Sequence, residues 1–294
     1  LGIDENNATN VFKSHSYIPR HLQLYKGMKV YTPLSWIKSA GQDTNNQMGH
    51  GVNLSIKQWN DASVINTWLA TYPKMHIKEI IGGGDFTLLW CVNNGNNELY
   101  GIGLNTSYQL GDGTLTRMDT PQLCSKVSEY MELNDTDIDK IYCGWDFTTI
   151  LFTNNVLCGF GTNAYYQLSN NSTTKSSFTE CTNINEYCNA NNLVILDFTC
   201  TGYETFVLFS NNKLFAIGLN NHGEFGIGNA TNYGNVLTEI TTVNDLLTDG
   251  YTIDLMLGRN NHIQYRLMKN GKLEWWGCGE NRHNTSLGIS GVNP

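Results

Sequence analysis

One eleven-residue pattern, written five times, limits what this 294-residue chain can fold into. Its clearest copy is GLNTSYQLGDG, Gly103 to Gly113. The others are GQDTNNQMGHG from Gly41, GTNAYYQLSNN from Gly161, GLNNHGEFGIG from Gly218 and GENRHNTSLGISG from Gly279. The shared template is Gly, any residue, Asn or Asp, three variable positions, Gln or Glu, an apolar residue, then usually Gly-x-Gly. Successive leading glycines stand 62, 58, 57 and 61 residues apart. A fixed period of this length means units that cannot bury a core alone and do so by stacking on their neighbours.

The units share one layout. The second opens with an apolar strand at Ile77 to Ile81 and a glycine turn, then the apolar run FTLLWCV (Phe86 to Val92), a turn at Asn93 to Asn97, and Glu98 to Ile102. The later units repeat it with FTTILF and VLCGF, TFVLF and KLFAI, and HIQYRLM and KLEWW, joined by Asn154-Asn155, Asn211-Asn212 and Asn270-Gly271. Asn-Asn and Asn-Gly between β-branched and aromatic runs signal tight hairpins, because a two-residue turn requires positive φ. The connection Thr114 to Asp137 carries Pro121 and a helix-compatible VSEYMEL, and Ser55 to Tyr72 is more plainly helical in pattern; short strands with occasional helical turns are expected in these connections.

Three or four short strands per unit, with central runs apolar throughout, predict an all-β fold: a β-propeller of three- to four-stranded antiparallel blades forming one domain over residues 1–294. Residues 1–35 hold only a partial unit. Leu1-Gly2-Ile3 matches Leu287-Gly288-Ile289, and Tyr17 to Leu22 matches Asp119 to Leu123. Two explanations stand side by side: an N-terminal strand that closes the ring, or a piece of a longer array.

Composition removes several function classes. Lys and Arg total 18 against 26 Asp and Glu, a net charge of −8, which argues against binding nucleic acid or anionic membranes. No apolar run reaches the roughly 18 residues of a membrane helix, so no membrane insertion is expected. The first residues show neither a leader peptide nor an initiator Met, so the chain reads as processed or partial. The eight cysteines follow the repeat: Cys143 and Cys200 both stand 18 residues before a leading glycine, and Cys124 and Cys181 also correspond. Equivalent positions in stacked units lie further apart than the about 4.4–6.8 Å that a disulfide spans, so the cysteines read as reduced, buried thiols. No P-loop, HExxH or CxxC is present, and the acidic stretch Asp135 to Asp139 has Lys140 where a calcium loop needs Gly. No catalytic residue, cofactor or metal is expected.

The template Gly-x-Asn-x3-Gln-Leu-Gly-x-Gly after a hairpin resembles the repeat of the regulator of chromosome condensation family, over about Gly41 to Gly291. The resemblance implies a propeller, typically of seven blades. It also implies functions as diverse as nucleotide exchange on a small GTPase, chromatin binding, ligase adaptors, secreted β-lactamase inhibitors and phage virion proteins. Here Ser169 and Asn171 replace both late glycines of the third copy, and Thr285-Ser286 interrupt the fifth. The His-Ser pair often found on the second strand appears as Phe86-Thr87, Phe147-Thr148 and Glu204-Thr205.

The template positions themselves read as fold residues, so recognition is expected at the variable ones and at aromatic residues in the turns before the second strands. The candidates are Asn45, Tyr108, Trp145, Tyr165, Tyr166, Tyr203, His222, Arg282 and His283. An asparagine-rich surface of low charge favours a non-enzymatic scaffold that binds protein or glycan, in a virion or secreted setting with other virion proteins as partners. The alternative is a cytoplasmic adaptor or exchange factor for a small GTPase.

Overall fold

The computed structural model describes residues 11–15, 36–51, 56–259 and 261–279. Their strands form five antiparallel sheets, each built from consecutive strands. The first contains β1 (Val11–His15), β2 (Trp36–Gly41) and β3 (Ile56–Asp61), followed by helix α1 (Ser63–Ala70). The second contains β4 (Met75–Gly82), β5 (Phe86–Asn93), β6 (Asn96–Gly103) and β7 (Met118–Leu123), followed by α2 (Ser125–Asn134). The third contains β8 (Ile138–Cys143), β9 (Phe147–Phe152), β10 (Leu157–Gly161) and β11 (Ser176–Glu180), followed by α3 (Thr182–Asn191). The fourth contains β12 (Ile195–Cys200), β13 (Glu204–Phe209), β14 (Leu214–Gly218) and β15 (Thr238–Glu239), followed by α4 (Thr241–Thr248). The fifth contains β16 (Thr252–Arg259), β17 (His262–Lys269) and β18 (Lys272–Gly279).

The first strands β4, β8, β12 and β16 lie side by side in that order, so the sheets stand radially as blades of a propeller. Each of these inner strands carries one register shift at the same place, after Ile77, Ile138, Ile195 and Ile253. A bulge repeated at one radius bends every blade alike. Hairpins form where asparagine was read to make them: Asn94 and Gly95 (φ 51° and 90°) turn β5 into β6, and Asn270 and Gly271 (φ 52° and 76°) turn β17 into β18.

The central strands are apolar along their whole length because both of their faces are packed. From β5, Phe86, Leu88 and Trp90 enter the layer shared with the third blade, while Leu89 and Cys91 enter the layer shared with the first. In β9 and β13 the neighbours split the same way: Ile150 and Phe152 against Phe147 and Leu151, then Val207 and Phe209 against Phe206 and Leu208. Every layer is completed by the helix between the blades, through Ile65 and Leu69, Val127, Ile184 and Cys188, then Val243 and Leu247. Full burial of each such aliphatic or aromatic side chain stabilises by roughly 1.5–3 kcal/mol. β17 differs: Ile263, Tyr265 and Leu267 are buried, while His262, Gln264 and Arg266 between them are half-buried, so one face carries the packing.

The connection Ser55 to Tyr72, the more plainly helical in pattern, is a strand followed by a helix, in keeping with the short strands and helical turns expected of the connections. IKQWND pairs with the edge of β2, with Lys57 to Asp61 all exposed, and only Ser63–Ala70 is helical. The fourth residue of three helices is an asparagine that clamps the strand leading into a motif, β2, β10 or β14. Asn66 accepts from the Ile37 N–H and donates to the Ile37 carbonyl, both at 2.9 Å, and Asn185 and Asn244 do the same at Leu157 and Leu214. All eight cysteines are unpaired. Burial pushes the Cys91, Cys158 and Cys200 thiols up to about 12, which makes them inert packing groups. The correspondences drawn for Leu1 to Ile3, Tyr17 to Leu22 and Leu287 to Ile289, and any ring closure through them, lie outside the described residues.

Candidate functional site

The four described motif loops leave β2, β6, β10 and β14 at the same end of the blades, and one set of hydrogen bonds shapes them. The Asn side chain at position three is buried and accepts from the backbone N–H five residues on: Asn105 from Leu110 (3.0 Å), Asn163 from Leu168 (2.8 Å) and Asn220 from Phe225 (2.9 Å). Its amide Nδ2 donates onward, from Asn105 to Asp112 Oδ1 and from Asn163 to Asn170 Oδ1. The first copy has Asp43 instead, whose second oxygen accepts from the His50 N–H at 3.2 Å. The Gln or Glu at position seven is buried and accepts from the N–H two residues earlier: Asn45, Ser107, Tyr165 and His222 donate at 2.7–2.9 Å. Its carbonyl ties the loop to the next blade, where Thr87, Thr148 and Thr205 donate to Gln47, Gln109 and Gln167. These threonines occupy the second half of the pair that the family resemblance places on the second strand.

Position six is the turn residue that adopts positive φ: 59° at Asn46, 68° at Tyr108, 64° at Tyr166 and 73° at Gly223. A bulky residue rarely adopts this conformation, and here each is held by the connection of the following blade. Asn46 Nδ2 donates to Asp119 at 2.7 Å, Lys175 Nζ sits 5.6 Å from the Tyr108 ring, and the Tyr166 ring lies beside Gly234, where an added side-chain carbon would meet it at 3.7 Å. Tyr108 and Tyr166 are thus struts between blades as well as loop-tip residues. Ser169 takes the left-handed conformation of the glycine it replaces (φ 52°), and its hydroxyl accepts from the Ile184 N–H.

Nearer the axis, the turns between the first and second strands form an inner rim. Gly84 donates its N–H to the Trp145 carbonyl (2.9 Å), and Trp145 donates to the Gly202 carbonyl (3.1 Å), so equivalent turns of three blades are joined in a row. A side chain at position 84 would meet Trp145 at 2.8 Å, which is why glycine stands there. The next residue in each turn is Asp85, Asp146 or Tyr203, and its carbonyl accepts the N–H that follows the leading glycine of the motif. Trp145 is 41% exposed and Tyr165 36%, and the Tyr165 ring meets Tyr203 edge-on at 5.2 Å.

The rim is acidic. Burial raises the Asp146 carboxyl above the usual range, and the neighbouring Asp85 charge raises it further. Burial raises Asp85 too, opposed by a hydrogen bond from Asn45, and Gln47 Nε2 donates to it at 3.1 Å. Behind Tyr203, Glu204 stands where Phe86 and Phe147 stand in the earlier blades. In those blades a glycine, Gly83 or Gly144, gives room to the phenylalanine ring; in the fourth blade the pair is Thr201 and Glu204, and the Thr201 hydroxyl donates to the carboxyl. Burial holds the Glu204 carboxyl well above its ordinary value, with the Glu224 charge adding to it. His222 Nδ1 lies 3.0 Å from Glu224 Oε1.

Asn45, Trp145, Tyr165, Tyr203 and His222 therefore share one end of the blades, with Tyr108 and Tyr166 at its outer loops. Arg282 and His283 lie outside the described residues. Asp85, Asp146, Glu204 and Glu224 belong to the same face; the sequence reading passed over Asp85 and Asp146 and took Glu204 and Glu224 only as variants of the repeat pattern. The available signal was an acidic residue immediately before or at the start of three second strands, in GGDF, GWDF and GYET. Among the described residues no three His, Cys, Asp or Glu side chains are grouped to hold a metal ion, and no helix is long and apolar enough to cross a membrane.

Residues 96–151 match the regulator of chromosome condensation (RCC1) repeat, so the chain carries the repeat that its motif resembles. It is 26% identical over 171 residues to an RCC1 repeat-containing protein of Dictyostelium discoideum, an alignment covering 58% of this chain and 34% of the relative. Among solved structures it is similar to Saccharomyces cerevisiae Prp20 (TM-score 0.60, 14% identity, 84% of this chain and 53% of that one). It is likewise similar to human WBSCR16 (TM-score 0.58, 16% identity, 82% and 56%). These likenesses establish the propeller fold. The chain spans about a third of the curated relative and just over half of each solved chain. Prp20 has been crystallised with Kap60 bound and is described by its binding to Gsp1p and histones.

Proposed function

We propose that this chain of RCC1-type repeats is a non-enzymatic scaffold that binds a protein partner with the motif end of its blades. The observation that carries the reading is the division of labour within the motif. Positions one, three, seven and eight are spent on buried hydrogen bonds and packing, which hold chemically diverse side chains at equivalent places on one face. Loops held by a rigid scaffold and bearing Trp, Tyr, His and Asn suit protein recognition. Binding of other proteins by Prp20, on the same fold, is consistent with this. The eight unpaired cysteines suit a reducing compartment, so the reading takes the cytoplasmic setting. A glycan ligand or a virion setting has no observation behind it among these relatives or in this geometry. The test is affinity capture with the folded chain against a Trp145→Ala/Tyr165→Ala/His222→Ala variant of unchanged stability. Proteins held by the first and lost by the second are expected; identical capture by both would sink the proposal.

A second reading, an exchange-factor-like role, is favoured by one observation: the acidic inner rim lies on the same face of a fold shared with Prp20, which is described as binding Gsp1p. Accelerated nucleotide release from a small GTPase, lost on substituting Asp146, would move the assignment to it.

A further inference from the structure

We propose that β18, the outermost described strand of the fifth blade, is a self-association edge: two copies of this chain pair their β18 strands antiparallel about Leu273. The residue four positions before each leading glycine is Ile37, Leu99, Leu157, Leu214 or Trp275. The first four are at most 1% exposed, whereas Trp275 is 56% exposed. In the first four blades a fourth strand, β3, β7, β11 or β15, lies against the strand that leads into the motif, and among the described residues β18 has none. The carbonyl of the equivalent residue in those blades accepts an N–H from Ala62, Cys124, Cys181 or Ile240 at 2.8–3.0 Å. In three of them its own N–H is bound as well, by Asn66, Asn185 or Asn244. By that equivalence the Trp275 N–H and C=O face the open edge, and so do those of Leu273, two residues earlier on the strand.

The side chains along this edge are of core type. Leu273, Trp275 and Trp276 are exposed, and Met268, also exposed, stands directly opposite Leu273 in the sheet. The Arg266 guanidinium lies 5.6 Å from the Trp275 ring and is held by Asp254. A long, exposed, apolar edge strand is a template for pairing with another chain.

Charge selects the occupant, because Lys272 and Glu274 flank Leu273 and both are exposed. Glu274 accepts only long bonds, from Tyr251 and Trp276 at 3.5 and 3.4 Å. With Leu273 on a two-fold axis, Lys272 stands opposite the partner's Glu274 and Glu274 opposite the partner's Lys272, at the positions where cross-strand side chains come closest. Trp275 then falls opposite the partner's Gly271, whose φ is 76° and around which there is open space, so the indole can lie across it. Sliding the pairing by two residues sets Glu274 against the partner's Glu274, or Lys272 against the partner's Lys272. The charges therefore select one register, and a second copy carries the complement by identity.

β18 runs toward its own motif, so antiparallel pairing points the motif ends of the two copies in opposite directions. The two three-stranded sheets run on as one, and the pair carries a motif face on each side. The pairing itself does not depend on what that face binds.

Sedimentation velocity of the folded chain from about 5 to about 500 µM at physiological ionic strength tests the pairing, since an edge contact of this size gives weak association. The weight-average sedimentation coefficient should rise from monomer toward dimer across that range. Lys272→Glu and Glu274→Lys each set like charges against one another and should each weaken dimerisation by at least about tenfold. Mixing the two variants should restore it, because every facing pair is then a lysine against a glutamate. The double variant Lys272→Glu/Glu274→Lys should dimerise like the parent. Both substituted side chains are exposed, and circular dichroism checks that each variant is folded. A chain that stays monomeric at the highest concentration overturns the inference, and that is also the result if another segment of the same chain lies along β18. Dimers that ignore the single substitutions, or single variants that stay apart when mixed, overturn it as well.

Discussion

Replacing Asn105 by aspartate changes one atom type at the centre of the clearest motif and should be strongly destabilising. The Asn105 side chain is fully buried; Oδ1 accepts from the Leu110 N–H, and Nδ2 donates to Asp112 Oδ1 at 2.8 Å and to the Thr114 carbonyl at 2.9 Å. Aspartate keeps the acceptor and loses both donations. Two lost hydrogen bonds, one to a charged acceptor, cost about 2–4 kcal/mol together. The new carboxylate also faces Asp112 at hydrogen-bonding range, where two charges repel by about 4 kcal/mol at an effective dielectric near 20, before relaxation or protonation relieves part of it. A net loss of about 3–5 kcal/mol is expected. The first motif shows how aspartate is tolerated: Asp43 has His50 seven residues on, and its second oxygen accepts from that backbone N–H instead of meeting an acid. The partner change Asp112→Asn should therefore restore a donor and recover at least half of the loss. Urea unfolding followed by tryptophan fluorescence, on both single variants and the double variant, measures the coupling. If Asn105→Asp costs less than about 0.5 kcal/mol, or if Asp112→Asn recovers none of the loss, the hydrogen-bond account of the motif is wrong.

The Glu204 carboxyl, raised by burial and by Glu224, binds a proton in the folded state that the unfolded chain releases. The Glu204 contribution to stability should consequently be fully present below the ordinary carboxylate range and be lost as pH rises through its folded-state titration. Glu204→Gln should remove that decline, leaving the variant more stable than the parent at pH 8 and similar to it near pH 4 in thermal melts; parallel pH profiles would contradict this. Gly111→Ala should destabilise by about 1–3 kcal/mol, because φ is +64° and the added carbon would lie 2.7 Å from the Phe160 ring. Ser169→Gly, at the equivalent place, should change chemical-denaturation stability far less, losing one hydroxyl contact while relieving a left-handed residue. Leu168→Ala should cost about 2–5 kcal/mol by opening a cavity in the layer between the third and fourth blades, and a loss under 1 kcal/mol would mean that the motif leucine does not pin its loop.

The periodic glycines, the Asn-Gly and Asn-Asn turns and the uninterrupted apolar runs foretold the blades by themselves, because each reports bonding that closes within about ten residues of chain. Asn105 to Leu110 and Gln109 to Ser107 are contacts of that kind, so a template in the sequence was enough to recognise them as structural. In the Ser55 to Tyr72 connection the mixture of strand and helix was foreseen but not the boundary between them, because Lys57 to Asp61 are all exposed and only pairing with β2 marks them as a strand. Relations between blades were not legible. Position six looked like a free loop tip until the following blade brought Asp119, Lys175 and Gly234 against it. Asp146 looked like an ordinary turn residue until Asp85 and Tyr203 were placed on either side of it, from residues about sixty positions away in each direction. The repeat determines the shape of each unit, because its bonds are local. Stacking decides which side chains share a rim, because equivalent positions become neighbours only when the sheets stand side by side.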